Sequence, residues 1–239
     1  MGPFLRELCE ATGFEQALPM NTGAEAVETA VKAARRWGYE IKGIPQNKAE
    51  IIVCTGNFHG RTTTIISFSD EDEYRKNFGP LTPGFKIVTY GDADSLEEVI
   101  TPNTAAFLVE PIQGEGGVNL PPSDYLQEVR KITEEVGAAM ILDEIQTGLG
   151  RTGSFWNCNQ TNVVPDILTS AKGLANGLPI GVTLCKDWIA ENPGSHGSTF
   201  SGGPVICAAG NATIDVIINE NLPKNASGFL RYFILILQA

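Results

Sequence analysis

Three apolar runs of this chain each end on residues able to do chemistry. Residues 138–142 are followed by Asp143, Glu144 and, one step further, Gln146. Residues 105–109 are followed by Glu110-Pro111-Ile112-Gln113-Gly114-Glu115, and residues 166–170 by Ala171-Lys172-Gly173. Ligands of an open α/β sheet bind beyond the carboxyl ends of its strands. If these runs are parallel strands, acids, an amide and one lysine collect on a single rim. A strand end meeting solvent accounts for any one of these residues. It does not account for all of them together. A fourth feature, Thr22-Gly23-Ala24, stands directly before a helical pattern. Free N–H groups and the helix dipole make such a place a phosphate cradle, while an ordinary N-cap on Asn21 or Thr22 explains the same residues.

Other chemistries are poorly served. His59 and His196 are the only two histidines, too few and too far apart for a metal site. No G-x-S-x-G is present, and Thr169, not serine, stands three residues before Lys172. Gly148-Leu149-Gly150-Arg151-Thr152-Gly153 matches a dinucleotide fingerprint, but that motif needs a helix opening at its glycines. Ser154-Phe155-Trp156-Asn157 starts a helix badly. A net charge of −11 argues against nucleic acid, since phosphate binding needs clustered Lys and Arg. No apolar run approaches the ~20 residues of a membrane span. The five scattered cysteines suit reduced thiols of the cytoplasm better than a disulfide frame.

The elements that must position the rim follow from periodicity. Glu25 to Tyr39 carries Val27, Ala30, Val31 and Ala34 at helical spacing. Strands are expected over 51–54, 85–90, 105–109, 138–142, 166–170 and 182–185, with helices over 95–100 and 122–136, the latter with Pro122 in its first turn. Continuous apolar runs separated by helices predict an α/β fold whose mostly parallel sheet has both faces covered.

Six ordered motifs carry a resemblance: Asn21-Thr22-Gly23-Ala24-Glu25-Ala26, Phe58-His59-Gly60-Arg61-Thr62, Glu110 to Glu115, Asp143-Glu144-Ile145-Gln146-Thr147-Gly148, Ala171-Lys172-Gly173 and His196-Gly197-Ser198-Thr199. Together they resemble the class III aminotransferases, enzymes of fold-type I that use pyridoxal 5′-phosphate (PLP). Within the family the ornithine-using members are the most similar, the acetylornithine-using ones next. The resemblance implies a fold-type I large domain over 1–220, and the opening of a truncated C-terminal small domain over 221–239. The family's N-terminal arm is expected to be missing.

It also implies roles. Lys172 would bind PLP and then move the proton, although a free lysine, at about 10.4, needs burial or cationic neighbours to react near neutrality. Asp143 would pair with the pyridine nitrogen, Gln146 with the ring hydroxyl, and Phe58 would stack on the ring. Thr22, Gly23 and Ala24 would hold the phosphate, completed by Thr199 from the second subunit of a homodimer with shared sites. Arg61, Glu110, Glu115 and Ser198 would meet substrate, with Arg61 clamping its carboxylate. The implied reaction passes the side-chain amino group of ornithine to 2-oxoglutarate, giving glutamate 5-semialdehyde and glutamate. The alternatives are N-acetylornithine as donor, or an inactive truncated fragment. Two departures from the family pattern bear on the loops around the site: Ser201-Gly202-Gly203-Pro204, and Ala175-Asn176-Gly177 just after Lys172.

Overall fold

The computed structural model describes residues 1–190 and 196–237, with side chains as far as Phe229. Pro193, Gly194 and Ser195, which precede the His196 motif, lie outside the described residues. Seven strands form one sheet: β1 (Gln16–Met20), β2 (Glu50–Cys54), β3 (Phe85–Val88), β4 (Thr104–Val109), β5 (Ala139–Asp143), β6 (Ile167–Ser170) and β7 (Gly181–Cys185). Their order is β1-β7-β6-β5-β4-β2-β3. The helices are α1 (Gly2–Thr12), α2 (Gly23–Glu40), α3 (Thr63–Ile66), α4 (Asp72–Arg75), α5 (Ala93–Val99), α6 (Tyr125–Glu135), α7 (Asp187–Ala190), α8 (Pro204–Asn219) and α9 (Leu222–Leu237).

Side chains of a strand alternate between faces, and here the alternation feeds two separate cores. Ile52, Cys54, Phe107, Val109, Met140, Leu142 and Leu168 pack on one side with Phe4 and Leu8 of α1, Tyr125 and Val129 of α6, and Ile214 of α8. Ile51, Val53, Ala106, Leu108, Ala139, Ile141 and Ile167 pack on the other under Val27, Ala30, Val31 and Ala34 of α2. Burial on both faces explains why β4 and β5 read as continuous apolar runs, not as alternating ones.

The sheet is mostly parallel, as expected: strands β3 to β6 run parallel, while β7 runs antiparallel to both β6 and β1. The segment between β6 and β7 holds only a short 3₁₀ turn, Lys172–Ala175, and a loop. A parallel return needs a crossover of a dozen or more residues, so the strand folds straight back. Strand β1 escapes the sequence reading because Gln16–Met20 is short and contains Pro19. It lies at the sheet edge, where a missing N–H is tolerated. Helix α6 starts at Tyr125; Pro122 precedes it in a turn whose carbonyl accepts the Tyr125 N–H at 3.1 Å.

Both sequence departures are accommodated as turns. Asn176 and Gly177 take left-handed backbone, φ 47° and 103°, a conformation that Asn and Gly adopt most readily. The Ser201 N–H and hydroxyl both reach the Ser198 carbonyl, at 3.3 and 3.0 Å, and Pro204 opens α8 in its first turn, where a lost N–H costs nothing.

Candidate active site

Loops from β1, β2, β4, β5 and β6 meet at one edge of the sheet and enclose a cavity of about 420 Å³. The N-terminus of α2 forms one wall. Thr22 is the N-cap: its hydroxyl accepts the Glu25 N–H at 3.1 Å, and Glu25 accepts the N–H groups of Thr22 (2.9 Å) and Asn21 (2.7 Å) in return. The N-cap explanation of this segment therefore holds. It does not displace the cradle, because Gly23 and Ala24 also line the cavity. In the first helical turn their N–H groups have no intrahelical acceptor. A Cβ at position 23 would lie 2.9 Å from Ile145 Cδ1, so the end of the Ile145 side chain would have to shift to admit one.

Asp143 is the hub of the floor. It is 4% exposed and accepts from His59 Nδ1 at 2.6 Å, the Thr169 hydroxyl at 3.0 Å and the Ile145 N–H at 3.1 Å. Beside it Glu110 accepts the Phe58 N–H at 3.1 Å. Burial and the charge of Asp143 push the Glu110 carboxyl up to about 7, against the pull of His59 and of backbone donors. Burial alone would lower the His59 value, but the hydrogen bond and charge of Asp143, with Glu110 behind them, raise it. Phe58 lines the cavity and meets Tyr74 edge-on at 6.0 Å between centroids. On the opposite wall Lys172 donates to Gln146 Oε1. Lys172 holds a left-handed backbone, φ 45°, which costs a residue with a Cβ about 1–2 kcal/mol. Strained backbone of this kind collects at functional positions.

Thr22, Gly23, Ala24, Phe58, Glu110, Asp143, Gln146 and Lys172 thus converge on one cavity. Four other candidates stand outside its lining. Arg61 is exposed, its guanidinium over the rings of Phe58 (5.5 Å) and Tyr74 (5.2 Å). Glu115 and Thr199 are exposed. Ser198 is joined to the cavity lining by Asn21, whose amide donates to its hydroxyl at 2.8 Å. Lys172 is exposed on this chain. One expectation is corrected. Glu144 belongs to the other side of β5, where it accepts from Thr147, Asn157 and Cys158. The residue that sequence reasoning left unassigned is His59. Its position just past β2, on the same rim as the others, was the available signal.

The family model for aminotransferase class-III matches residues 1–239. The chain is 52% identical over 237 residues to the ornithine aminotransferase of Geobacillus sp. (strain WCH70), covering 98% of this chain and 60% of that one. With the Bacillus subtilis (strain 168) ornithine aminotransferase it shares 51% over 236 residues, 98% of this chain and 59% of the relative. The chain therefore spans about three fifths of the length of these curated relatives. Among solved structures, the ornithine aminotransferase of Toxoplasma gondii, with partial PLP occupancy at its active site, superposes with a TM-score of 0.97 at 43% identity, over 99% of this chain and 57% of that one. Acetylornithine aminotransferase from Elizabethkingia anophelis gives 0.85 at 45%, over 97% and 58%. A family match running from the first residue to the last, with half the positions identical to those of curated relatives, makes this chain a member of the class-III aminotransferases.

Proposed function

We propose that this protein is a PLP-dependent aminotransferase that passes the side-chain amino group of ornithine to 2-oxoglutarate. One observation carries the reading: a helix N-terminus, an aromatic face, a buried carboxylate and a lysine all line the same cavity. They match the four parts of PLP, which are an anion, a flat ring, a basic ring nitrogen and a carbonyl. The Gly23 and Ala24 amides would bind the phosphate, with the positive end of α2 behind them. Phe58 would cover the ring face and Gln146 would bind the ring hydroxyl. Asp143 would hold a proton at the ring nitrogen. Lys172 Nζ would anchor the cofactor and carry the proton on and off the substrate carbon. When bound, PLP supplies the electron sink that the reaction needs.

On the substrate side, Glu110 faces the cavity, and Arg61 beside Phe58 offers a planar fork for a carboxylate. Glu115, Ser198 and Thr199 stand outside the cavity lining of their own chain. We therefore read the working form as a homodimer in which Thr199 completes the partner's phosphate site. Residues 1–220 would be the cofactor-binding unit and residues 221–239 the opening of a second, the helix break at Asn221 (φ 51°) marking the border. All five cysteines are free, and no described helix is long and apolar enough to cross a membrane. Both suit a cytoplasmic enzyme. N-acetylornithine is the second reading of the donor, favoured by the 45% identity to the Elizabethkingia anophelis structure.

The test is a visible absorption spectrum of the protein with PLP, beside Lys172→Ala. Wild type should show a band that the variant lacks, and ornithine should bleach it. Absence of any Lys172-dependent band would sink the reading. Bleaching by acetylornithine alone would change the donor.

A further inference from the structure

We infer that His59 is a positioning residue of the cofactor site: its Nδ1–H aims the Asp143 carboxylate into the cavity, and its ring stands as a cationic strut between Asp143 and Glu110. The inference rests on the PLP reading above.

The geometry leaves few choices. Asp143 is held by three donors from three segments: His59 from the loop after β2, Thr169 from β6, and its own neighbour Ile145. Two of these meet Oδ1, whereas among the described residues Oδ2 is held by His59 alone, at 2.6 Å. Losing His59 would leave the carboxylate tethered through Oδ1 and freer to turn about its Cβ–Cγ bond. The imidazole is 3% exposed and packs against Phe68 at 6.0 Å between centroids. A carboxylate accepts and cannot donate when ionised, so the shared proton resides on Nδ1. The other ring nitrogen, Nε2, is buried without a partner, so the ring is oriented by Asp143 and by nothing else polar among the described residues. The charged groups acting on it are Asp143 at the end of β5 and Glu110 just past β4. Both are anionic when ionised, so a proton kept on the imidazole offsets charge that would otherwise repel across the floor.

A packing role and a positioning role make different predictions. His59→Phe keeps a ring and loses the donor and the charge. His59→Asn keeps a donor near the Nδ1 position and loses the charge. The phenylalanine variant should bind PLP roughly 10–100-fold more weakly, the range expected for a lost hydrogen bond to a charged group, and the asparagine variant should recover most of that loss. In both, the pH midpoint of the visible band should move up by more than about half a unit, because removing a positive charge favours the protonated form of a nearby group.

The cofactor-free protein gives an independent readout. It has two histidines, so ¹⁵N-histidine spectra resolve His59 once the His196 signal is identified by substitution. A His59 Nδ1–H signal that persists through neutral pH and vanishes in Asp143→Ala supports the pair. If His59 titrates like free histidine and ignores Asp143→Ala, the inference is wrong. It is equally wrong if His59→Phe binds PLP with wild-type affinity and midpoint while wild type shows its Lys172-dependent band; the site reading then stands alone. Should wild type show no such band, both fall. If the phenylalanine variant does not fold, an unchanged midpoint in His59→Asn overturns the inference by itself.

Discussion

Asp143 and Glu144 are consecutive carboxylates at the end of β5, nearly equally buried at 4% and 0% exposure, and the two sides they face have opposite characters. On the cavity side, Asp143 takes an imidazole, a hydroxyl and one amide and still borders open space. On the back side, Glu144 takes the amides of Asn157 (3.0 Å) and Cys158 (2.8 Å) and the Thr147 hydroxyl (2.5 Å). Those bonds fold the glycine-rich turn from 148 to 153 back on itself, with Gly148 so close beneath Trp156 that a Cβ would lie 2.5 Å from its ring. Burial pushes the Glu144 carboxyl up even against these donors. A buried carboxylate that lines no cavity and is tied to its own chain is a structural tie. One that keeps a side open to a cavity is available to a ligand.

Substitutions can break this contrast. Asp143→Ala should slow the ornithine half-reaction by roughly 10²–10³-fold, about 3–4 kcal/mol of barrier, the usual cost of losing a preorganised electrostatic partner; stopped-flow bleaching of the cofactor band measures it. If Glu144→Ala causes the larger kinetic loss per folded molecule, the assignment of sides is wrong.

Glu110, on the cavity side, should show itself through pH. Its carboxyl lies at about 7 when folded against 4.5 as the reference. Its contribution to stability is therefore complete below about pH 4.5 and is lost as pH rises through about 7. Glu110→Gln should flatten urea-unfolding stability across that window and gain up to about 3 kcal/mol at pH 8, at about 1.4 kcal/mol for each pH unit of displacement. The slope that remains is shared by His59 and Glu144, whose raised values act in the same direction. Parallel wild-type and variant curves would mean that Glu110 ionises as an ordinary surface acid.

Glu144→Ala should lower stability by about 2–3 kcal/mol by denaturant titration, since buried donors lose a charged acceptor. A loss below about 0.5 kcal/mol would show the tie to be dispensable. The smallest effect sharpens the comparison from within the cavity: Thr22→Ala removes the cap of α2 and should cost about 1 kcal/mol. Here a residue on the ligand side behaves like one on the back, and weakened PLP binding much beyond that cost would assign Thr22 a direct contact.

Local order was legible because it is written in local periodicity. The spacing of Val27, Ala30, Val31 and Ala34 marked α2, the apolar runs marked β2 to β7, and the strand-end residues marked the rim that carries Asp143, Glu110 and Lys172. The glycines at 148 to 153 form turns with no helix opening on them, as Ser154-Phe155-Trp156-Asn157 led one to expect. What periodicity does not encode is which side chains meet across the sheet. His59 and Asp143 are 84 residues apart, and only the parallel alignment of β2, β4 and β5 brings their strand ends together. Adjacent acids look alike in sequence, but neighbouring positions at a strand end face opposite ways, so packing alone sent Asp143 to the cavity and Glu144 to the turn. The same holds for Arg61 and Glu115, chemically apt yet left outside the cavity lining. Residue types and their order determined the family of chemistry; distance, burial and the reversal of β7 decided which of those residues share a site, because those quantities exist only once the chain is folded.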